Sequence, residues 1–219
     1  MRSSSLALAL VATTVTTTAC TALDPDPDPD PSGGKVCTVA RVIAGNPISS
    51  ATEDPAAWSP SGHPAKADPP MHFSNLARRG DQLVVSTGRS IWRIDLAAAA
   101  PSFVRVAGDD VGAAIYRPTG PCADVRFLAS EGLAWLPDGR LVVGDDWANG
   151  VVELSDPLSA SCTARVIAGN ATTLTNHTPA TVYQPGNVTG PGATARFAAP
   201  DDAIADDAGN VYLWDRGNK

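Results

Sequence analysis

Apolar and polar residues alternate along this chain in short runs, and several of these runs end at a glycine. Residues 37–46 read Cys-Thr-Val-Ala-Arg-Val-Ile-Ala-Gly-Asn, residues 162–170 repeat that run with one residue fewer, and residues 103–109 are a weaker copy. A period of two is typical of a β-strand, and a closing glycine is typical of a turn. The pattern therefore predicts three equivalent strands. Their closing glycines stand 63 and 61 residues apart, at Gly45, Gly108 and Gly169.

A longer element recurs between these strands. Residues 126–145 align without a gap with residues 196–215, and residues 73–86 followed by 90–94 form a weaker copy. Each copy predicts a strand, a tight turn, a second strand, a short turn and a third strand. The equivalent positions of the two gapless copies include Phe127 and Phe197, Gly139 and Gly209, and Asp145 and Asp215.

Four short antiparallel strands in a repeat of roughly 45–65 residues are typical of a β-propeller blade. No stretch of the chain keeps apolar residues at helical spacing over three turns, which excludes a helical repeat. One four-stranded sheet cannot bury both of its faces alone, so successive sheets must stack around an axis. We therefore predict an all-β fold, a β-propeller of four-stranded blades.

The last thirty residues carry a family resemblance. Residues 190–218 resemble an NHL repeat in their small residues, an Arg-Phe pair, a proline, an apolar strand, Asp-x-x-Gly-Asn-Val-Tyr, and a final Asp and Asn. They depart from it at Asp202-Ala203, where the family usually has Gly-Ile or Gly-Val. Residues 120–169 match more loosely, and residues 64–108 match in outline. The resemblance implies an NHL-type propeller.

The repeats are too few for a closed ring. We expect a closing strand at 36–45, units at 64–108 and 120–169, and a partial unit at 190–219, all within a repeat domain of residues 36–219. NHL propellers usually close with about six blades, and the smallest closed propellers have about four. We therefore expect an incomplete ring, a truncated propeller.

The first residues are typical of an export signal. A positive Arg2 precedes an apolar run at residues 6–12, and small residues lead to Cys20. That run is too short to cross a membrane, so residues 1–19 are predicted to be a signal peptide. The ending resembles a bacterial lipobox, although Thr17 stands where Leu, Val or Ile is usual, and it implies a lipid on Cys20. The alternative is an ordinary signal peptide cut near Ala19, with Cys20 incidental.

Residues 20–35 follow as a linker, in which Asp and Pro alternate from Asp24. Alternate prolines remove backbone donors and hold the chain extended, so this segment is predicted to be a spacer. A spacer next to a lipid-bearing cysteine would hold the folded domain away from a membrane. Together the two features predict a lipid-anchored protein of the bacterial cell envelope, facing the periplasm or the cell surface.

Charge and cysteine content narrow the possible partners. The formal net charge is −7, and Lys and Arg occur singly except at Arg78-Arg79, so the chain lacks the basic cluster that a nucleic-acid surface needs. Beyond Cys20 three cysteines remain, namely Cys37, Cys122 and Cys162. Because three is odd, either one thiol is free or its partner lies elsewhere, and the pairing stays open.

Three long connections are the predicted binding region. Residues 46–70, 109–122 and 170–192 each follow one of the equivalent strands, so they should emerge on one face of the domain. Long loops on a rigid scaffold usually carry function, and insertions without a function are the alternative. The candidate contact residues in or beside these loops are Trp58, His63, His72, His177 and Tyr183.

Metal chemistry is the alternative to binding. Glu131-Gly132-x-x-Trp135 resembles the opening motif of gluconolactonase-like six-bladed propellers, and that resemblance implies a divalent metal on Glu131 and a hydrolase or lyase activity. No two histidines have ligand spacing, and no catalytic residue or metal set is predicted. Acidic pairs could hold Ca²⁺, but they fall in turns, where Asp caps its own backbone. These pairs are 109–110, 145–146, 201–202 and 206–207.

The function that this sequence predicts is therefore that of a binding or scaffold module. Its partner would be an unknown protein or glycan that contacts the loops, with the membrane reached through the lipid and no cofactor required. The chain carries no Ser-His-Asp order, phosphate loop or Cys-x-x-Cys motif that would favour an enzyme.

Overall fold

The computed structural model describes residues 73–99, 101–109, 115–170 and 185–218, together with four two-residue strands elsewhere. The described part is built from β-strands and two short 3₁₀ helices, Cys122–Asp124 and Arg216–Asn218. The strands, in chain order, are β1 (Val11–Ala12), β2 (Arg41–Val42), β3 (His63–Pro64), β4 (Asn75–Arg79), β5 (Gln82–Ser86), β6 (Ser90–Asp95), β7 (Ser102–Gly108), β8 (Ile115–Tyr116), β9 (Gly120–Pro121), β10 (Ser130–Trp135), β11 (Leu141–Asp145), β12 (Gly150–Ser155), β13 (Thr163–Gly169), β14 (Leu174–Thr175), β15 (Pro200–Ala205) and β16 (Val211–Asp215).

These strands form separate antiparallel sheets, which confirms the all-β prediction. The first sheet has the order β3-β7-β6-β5-β4, the second has the order β10-β11-β12-β13-β9, and the third consists of β15 and β16. Two further pairs are β1 with β2 and β8 with β14. No sheet closes on itself in the described part of the chain. Four strands of each large sheet follow the prediction, and a two-residue strand, β3 or β9, adds a fifth at the outer edge.

The alternating runs form strands that end at glycine, as predicted. β7 ends at Gly108 opposite Ser90, and β13 ends at Gly169 opposite Gly150. Both glycines have a positive φ, 86° and 80°, a backbone conformation that is energetically unfavourable for residues with a side chain. A Cβ at Gly108 would also lie 2.1 Å from the Arg89 carbonyl oxygen. Glycine is therefore required where each of these strands ends.

Apolar side chains hold the first sheet against the second. Val84 and Ile91 of the first sheet lie in one buried cluster with Leu133, Val143 and Val152 of the second, and each is at most 3% exposed. Burial of one such side chain stabilises the fold by roughly 1.5–3 kcal/mol. The strand pattern thus positions the first sheet directly against the second.

The third sheet packs on the opposite face of the second. Val142 and Val151 of the second sheet form a cluster with Ala203, against which Val211 and Leu213 pack. Glycine allows the third sheet to approach the second closely, because a Cβ at Gly144 would lie 2.8 Å from the Pro200 carbonyl oxygen. The second sheet is therefore covered on both faces, which is what stacked repeats require.

A disulfide ties the start of the second unit to its own sheet. Cys122 and Cys162 are bonded, and the Cys122 amide also donates to the Cys162 carbonyl oxygen at 3.0 Å. Closing a loop of 40 residues restricts the unfolded chain and stabilises the fold by about 4 kcal/mol. This bond settles two of the three cysteines whose pairing the sequence left open, and Cys37 lies outside the described residues.

The predicted export segment is described at few positions. Within residues 1–19, β1 pairs with β2, so the described part of the closing strand 36–45 contacts the N-terminal segment. The linker at 20–35 and the lipidation candidate Cys20 lie outside the described residues. Among the residues that are described, no helix is long and apolar enough to span a bilayer.

Candidate functional site

The candidate site lies at one end of the sheets, which we call the loop face: the end at which β4, β10 and β15 begin and β7 and β13 end. The turn between β5 and β6 contacts the start of β10, since the Ser130 amide donates to the Gly88 carbonyl oxygen at 2.6 Å. At the next boundary the turn between β11 and β12 contacts the residue before β15, since the Ala199 amide donates to Asn149 Oδ1 at 2.9 Å. Consecutive units therefore share one loop face.

Two of the three long loops meet each other. β8, from the loop at 109–122, pairs with β14, from the loop at 170–192, with Tyr116 opposite Leu174. The Tyr116 side chain is fully buried, and its hydroxyl donates to the Asn170 carbonyl oxygen at 3.4 Å. Burial, with Asp145 nearby, raises the pKa of Tyr116 well above its usual value. A buried tyrosine thus fastens one loop to the end of β13.

The third loop is described at only one point. Within residues 46–70, the backbone of His63 pairs with Phe103 near the start of β7, at the end of that strand opposite to Gly108. The other candidate contact residues lie outside the described residues, so the structure does not place them. They are Trp58, His72, His177 and Tyr183.

Glu131 lies on the loop face, as the second residue of β10. The register of β10 with β11 shifts between Ser130 and Leu133, so Glu131 stands at a β-bulge. Asp201 stands at the equivalent bulge of β15, because Pro200 pairs with Asp215 and Asp202 with Trp214. Bulges redirect side chains out of the strand alternation and are common near functional sites. Both bulges lie at the loop face.

Arg216 forms ion pairs with two carboxylates near Glu131. Its Nη2 lies 2.7 Å from Asp146 Oδ2, and its Nε lies 3.2 Å from Asp201 Oδ2. Arg216 and Asp201 also act on the titration of Glu131, so the four side chains form one electrostatic group. We call Glu131, Asp146, Asp201 and Arg216 the loop-face cluster. It holds three carboxyl groups against one guanidinium.

Two acids of the cluster, Glu131 and Asp146, bind protons more tightly than free carboxyl groups do, mainly because they are partly buried. Burial raises the pKa of Glu131 above its ordinary value, the neighbouring Asp201 and Asp146 raise it further, and a hydrogen bond with Ser74 and the charge of Arg216 oppose them. Burial likewise raises the pKa of Asp146, although Arg216 opposes it. The cluster offers both hydrogen-bond acceptors and hydrogen-bond donors to a polar ligand.

The repeat itself could have revealed this cluster. Glu131 and Asp201 are 70 residues apart, and so are Asp146 and Arg216, which is the offset of the gapless alignment. Equivalent positions of stacked units lie side by side. The sequence singled out Glu131 and, among the acidic pairs, Asp146 and Asp201, but it did not bring them together and it missed Arg216, because each acidic residue was compared only with its neighbours along the chain.

The described residues show no metal centre around Glu131. In the part of the chain with described side chains, no three His, Cys, Asp or Glu side chains are arranged to hold a metal ion. Arg216 lies between Asp146 and Asp201 and already pairs with both carboxylates. The arrangement thus favours hydrogen bonding to a ligand over coordination of a cation.

Among the acidic pairs, Asp206 caps its own turn, as the turn interpretation predicts, whereas Asp109 forms ion pairs with arginines instead. Asp206 accepts hydrogen bonds from the backbone amides of Ala208 and Asn210, at 3.0 and 2.8 Å. Asp109 pairs with Arg126 at 3.4 Å. Neither aspartate therefore requires a calcium ion to satisfy its charge.

Asp145 has a structural role beside the cluster. Its buried carboxylate accepts hydrogen bonds from the amides of Leu128 and Ala129, both at 2.9 Å, and from Ala148 at 3.2 Å. Burial raises its pKa to about 6. Asp215, at the equivalent position, accepts the Ala198 amide at 2.7 Å. These aspartates hold the chain that leads into β10 and β15.

Exposed apolar side chains lie on the same face. Trp147, in the turn after Asp146, is 47% exposed, and Ile115 on β8 is 38% exposed. An indole next to carboxylates and a guanidinium combines a flat apolar surface with hydrogen-bonding groups. This combination is typical of a surface that binds ligands.

Comparison with known proteins shows similarity in fold alone. No protein-family model matches the chain, and no curated protein matches it. Among solved structures, an auxiliary nutrient binding protein from Bacteroides thetaiotaomicron is 16% identical with a TM-score of 0.53, over 69% of this chain and 36% of that one. That similarity shows a shared β-rich fold.

Two other solved structures have lower TM-scores. A protein of unknown function from Bacteroides thetaiotaomicron is 16% identical with a TM-score of 0.46, over 60% of this chain and 29% of that one. A luciferin-regenerating enzyme is 19% identical with a TM-score of 0.25, over 65% of this chain and 54% of that one. The chain thus spans about a third of the length of the two Bacteroides proteins.

Proposed function

We propose that this chain is an exported, lipid-anchored NHL-type propeller module that binds a ligand through its loop face. The observation that carries the proposal is the pairing of β8 with β14, which joins two long loops on the face that also holds the loop-face cluster. A rigid sheet scaffold with loops joined above one end is the usual arrangement of a binding site.

The stacking of the sheets supports a propeller. β10 lies between β4 and β15, since Trp135 Nε1 donates to the Ala77 carbonyl oxygen at 3.3 Å and Ala203 packs against the other face. Asn75 Nδ2 of the first unit also reaches Asp202 Oδ1 of the third at 2.8 Å. The first strands of the three units thus lie next to one another, which supports an arrangement around a propeller axis.

The chemistry of the loop face supports a polar ligand with flat apolar surfaces, such as a glycan. Trp147 offers a stacking surface, and the loop-face cluster offers acceptors and donors for hydroxyl groups. A protein ligand is the other class that such a surface accepts. One protein of similar fold is named a nutrient binding protein, but fold alone does not determine function.

The disulfide supports export. Disulfides persist in oxidising compartments and are rare in the cytosol, and Cys122 is bonded to Cys162. An oxidising compartment agrees with the signal peptide that residues 1–19 are expected to form. In this proposal a lipid on Cys20 and the Asp-Pro spacer connect the domain to the membrane.

The binding proposal is tested with the full chain and a panel of soluble oligosaccharides, by calorimetry. Trp147→Ala removes the exposed indole, and Ile115→Asp puts a charge on β8. We expect each to weaken the binding of any sugar that the wild type binds by about tenfold or more, since such a contact contributes roughly 1–2 kcal/mol. The control Asp138→Ala changes an exposed turn at the opposite end of β10.

Two outcomes would count against this proposal. One is an equal loss of affinity in Asp138→Ala, which would mean that binding does not use the loop face. The other is no binding to any sugar, together with no cross-linking of a protein partner that depends on Trp147. Lipidation is tested separately by mass spectrometry of the membrane-extracted chain, in which Cys20→Ala must abolish the acyl mass.

A further inference from the structure

Tyr116 on β8 has the largest side chain that is fully buried in the described part of the chain. Its ring forms one buried cluster with Leu128, which leads into β10, and with Ala148, in the turn between β11 and β12. A loop residue therefore contributes a core side chain to the second sheet. The contact places the loop directly against residues 146–149, which we call the Trp147 turn.

The start of β12 has the space that the tyrosine hydroxyl needs. A Cβ at Gly150 would lie 2.9 Å from the Tyr116 hydroxyl oxygen and 2.8 Å from the Asn170 carbonyl oxygen. In the first sheet the equivalent position, which pairs with the closing glycine in the same way, holds Ser90. The second unit thus has a glycine where a side chain would collide with the hydroxyl and its acceptor.

Hydrogen bonds connect Tyr116 to the Trp147 turn as well. The Tyr116 hydroxyl donates to the Asn170 carbonyl oxygen at 3.4 Å, and the Asn170 amide donates to the Asn149 carbonyl oxygen at 3.1 Å. The Asn149 amide donates to the Asp146 carbonyl oxygen at 3.3 Å, which closes the turn. Because the hydroxyl bond is long, the packing of the ring is the stronger part of this connection.

The Trp147 turn is held on both sides of its indole. The Ala148 amide donates to the buried Asp145 carboxylate at 3.2 Å. Asp146, on the other side, pairs with Arg216 at 2.7 Å. Trp147 lies between these two anchored residues and is still 47% exposed. An indole whose backbone is fixed while its ring stays exposed is suited to contact a ligand without being reordered.

The second exposed apolar side chain of the loop face depends on Tyr116 too. Successive residues of a strand point to opposite faces, so the burial of Tyr116 directs its neighbour Ile115 outward. Ile115 is accordingly 38% exposed. The pairing of β8 with β14 keeps both residues in this strand. The burial of one tyrosine thus fixes the positions of Ile115 and Trp147.

We infer that Tyr116 is the positioning residue of the loop face: its ring holds the Trp147 turn, and its hydroxyl holds the loop that follows β13. Because it is buried, it touches no ligand and acts through Trp147 and Ile115. Contacts that are ordered before binding lose less conformational entropy on association, which raises the affinity. The role in binding rests on the proposed function, whereas the effect on Trp147 depends on no ligand.

The first experiment needs no ligand and compares two variants of the full chain by NMR. Tyr116→Phe keeps the ring and removes the hydroxyl, and Tyr116→Leu removes the ring as well. Tyr116→Phe should leave the Trp147 indole signal unchanged and speed amide exchange at Asn170 by about threefold or more, the effect of one weak hydrogen bond. Tyr116→Leu should also shift the indole signal and speed exchange at Asn149 by about tenfold or more, because the turn loses its packing. Trp147→Phe identifies the indole signal among those of the five tryptophans.

The second experiment measures binding by calorimetry, with cellohexaose, maltohexaose and chitohexaose as probes. For a probe that the wild type binds, Tyr116→Leu should weaken the affinity by about tenfold or more, and Tyr116→Phe by about threefold or less. If the wild type binds none of these probes, the proposed function loses support, and the NMR comparison still decides the role of Tyr116.

Ile94→Ala and Tyr212→Phe are the matched controls. Ile94 is fully buried in the first sheet, near the end of β6 opposite to the loop face, so its variant loses stability without touching the Trp147 turn. Tyr212→Phe removes a hydroxyl that donates to Asp206, also at the end opposite to the loop face. Both variants should keep the wild-type indole signal and the wild-type affinity.

An unchanged indole signal in Tyr116→Leu would overturn the inference, and so would an equal change of that signal in Ile94→Ala. If Tyr116→Leu does not fold, Tyr116→Phe decides the question, and wild-type exchange at Asn170 in that variant would overturn the inference. An affinity that is unchanged in Tyr116→Leu, for a probe that the wild type binds, would contradict the positioning role and leave the proposed function intact.

Discussion

Asp145 makes the stability of this fold sensitive to weakly acidic pH. Its carboxylate is fully buried, and burial raises its pKa from the ordinary 3.8 to about 6. The folded state therefore holds a proton that the unfolded state has lost between these two values. Stability from this group is fully present below pH 3.8 and is lost as the pH rises through 6. A shift of about two units corresponds to about 3 kcal/mol.

The variant Asp145→Asn isolates this effect, because an amide does not titrate. Between about pH 4 and pH 7 we expect the free energy of unfolding of the wild type to fall by about 2 kcal/mol more than that of the variant. The raised pKa values of Glu131 and Asp146 act in the same direction in both proteins. Comparing the two pH profiles therefore removes the contribution of the loop-face cluster.

The assay is urea unfolding at half-unit pH steps, followed by tryptophan fluorescence. Asp207→Asn is the control, since Asp207 is exposed, and its profile should follow the wild type. A variant profile as steep as that of the wild type would refute the reasoning. So would direct titration of the Asp145 carboxyl by NMR with a pKa near the ordinary value, a measurement that applies even if the variant folds poorly.

Three further predictions follow from the packing and the site. Gly144→Ala should lower the free energy of unfolding by about 2 kcal/mol, measured by urea unfolding, because the added Cβ meets the Pro200 carbonyl oxygen, whereas Ser155→Ala on the same sheet should cost less. Replacing Cys122 and Cys162 together with Ala should lower it by about 4 kcal/mol, and a smaller loss in the double variant than in the reduced wild type would contradict the loop-closure argument. Treatment with a chelator should leave the melting temperature unchanged, and a fall of several degrees with release of stoichiometric Ca²⁺ or Zn²⁺ would favour the hydrolase alternative.

Local patterns along the chain predicted the strands well. The alternating runs became β7 and β13, and both end at the glycine that the pattern marked. The gapless alignment of residues 126–145 with 196–215 predicted two hairpins, β10–β11 and β15–β16, that do share a register. These features depend on side-chain alternation and turn residues, which act within a few positions and are visible in one sequence.

Features that depend on distant contacts were not predictable in the same way. The pairing of β8 with β14 joins Tyr116 to Leu174 across two loops whose composition suggested no strand. The Cys122–Cys162 bond depends on β9 lying beside β13, which no spacing of cysteines reveals. Pairings of this kind are decided by the stacking of whole units rather than by local preference.

The loop-face cluster is the case in between, and it shows what a repeat adds to the interpretation of a sequence. Glu131 and Asp201 stand at equivalent bulges of consecutive units. Asp146 and Arg216 are also at equivalent positions, because they are 70 residues apart. Stacked units bring equivalent positions together. Where one unit has an acidic residue and the next has a basic residue at the same position, the two side chains can form an ion pair across the boundary, as Asp146 and Arg216 do. The same comparison, applied between units instead of along the chain, identifies residues that a search for linear motifs passes over.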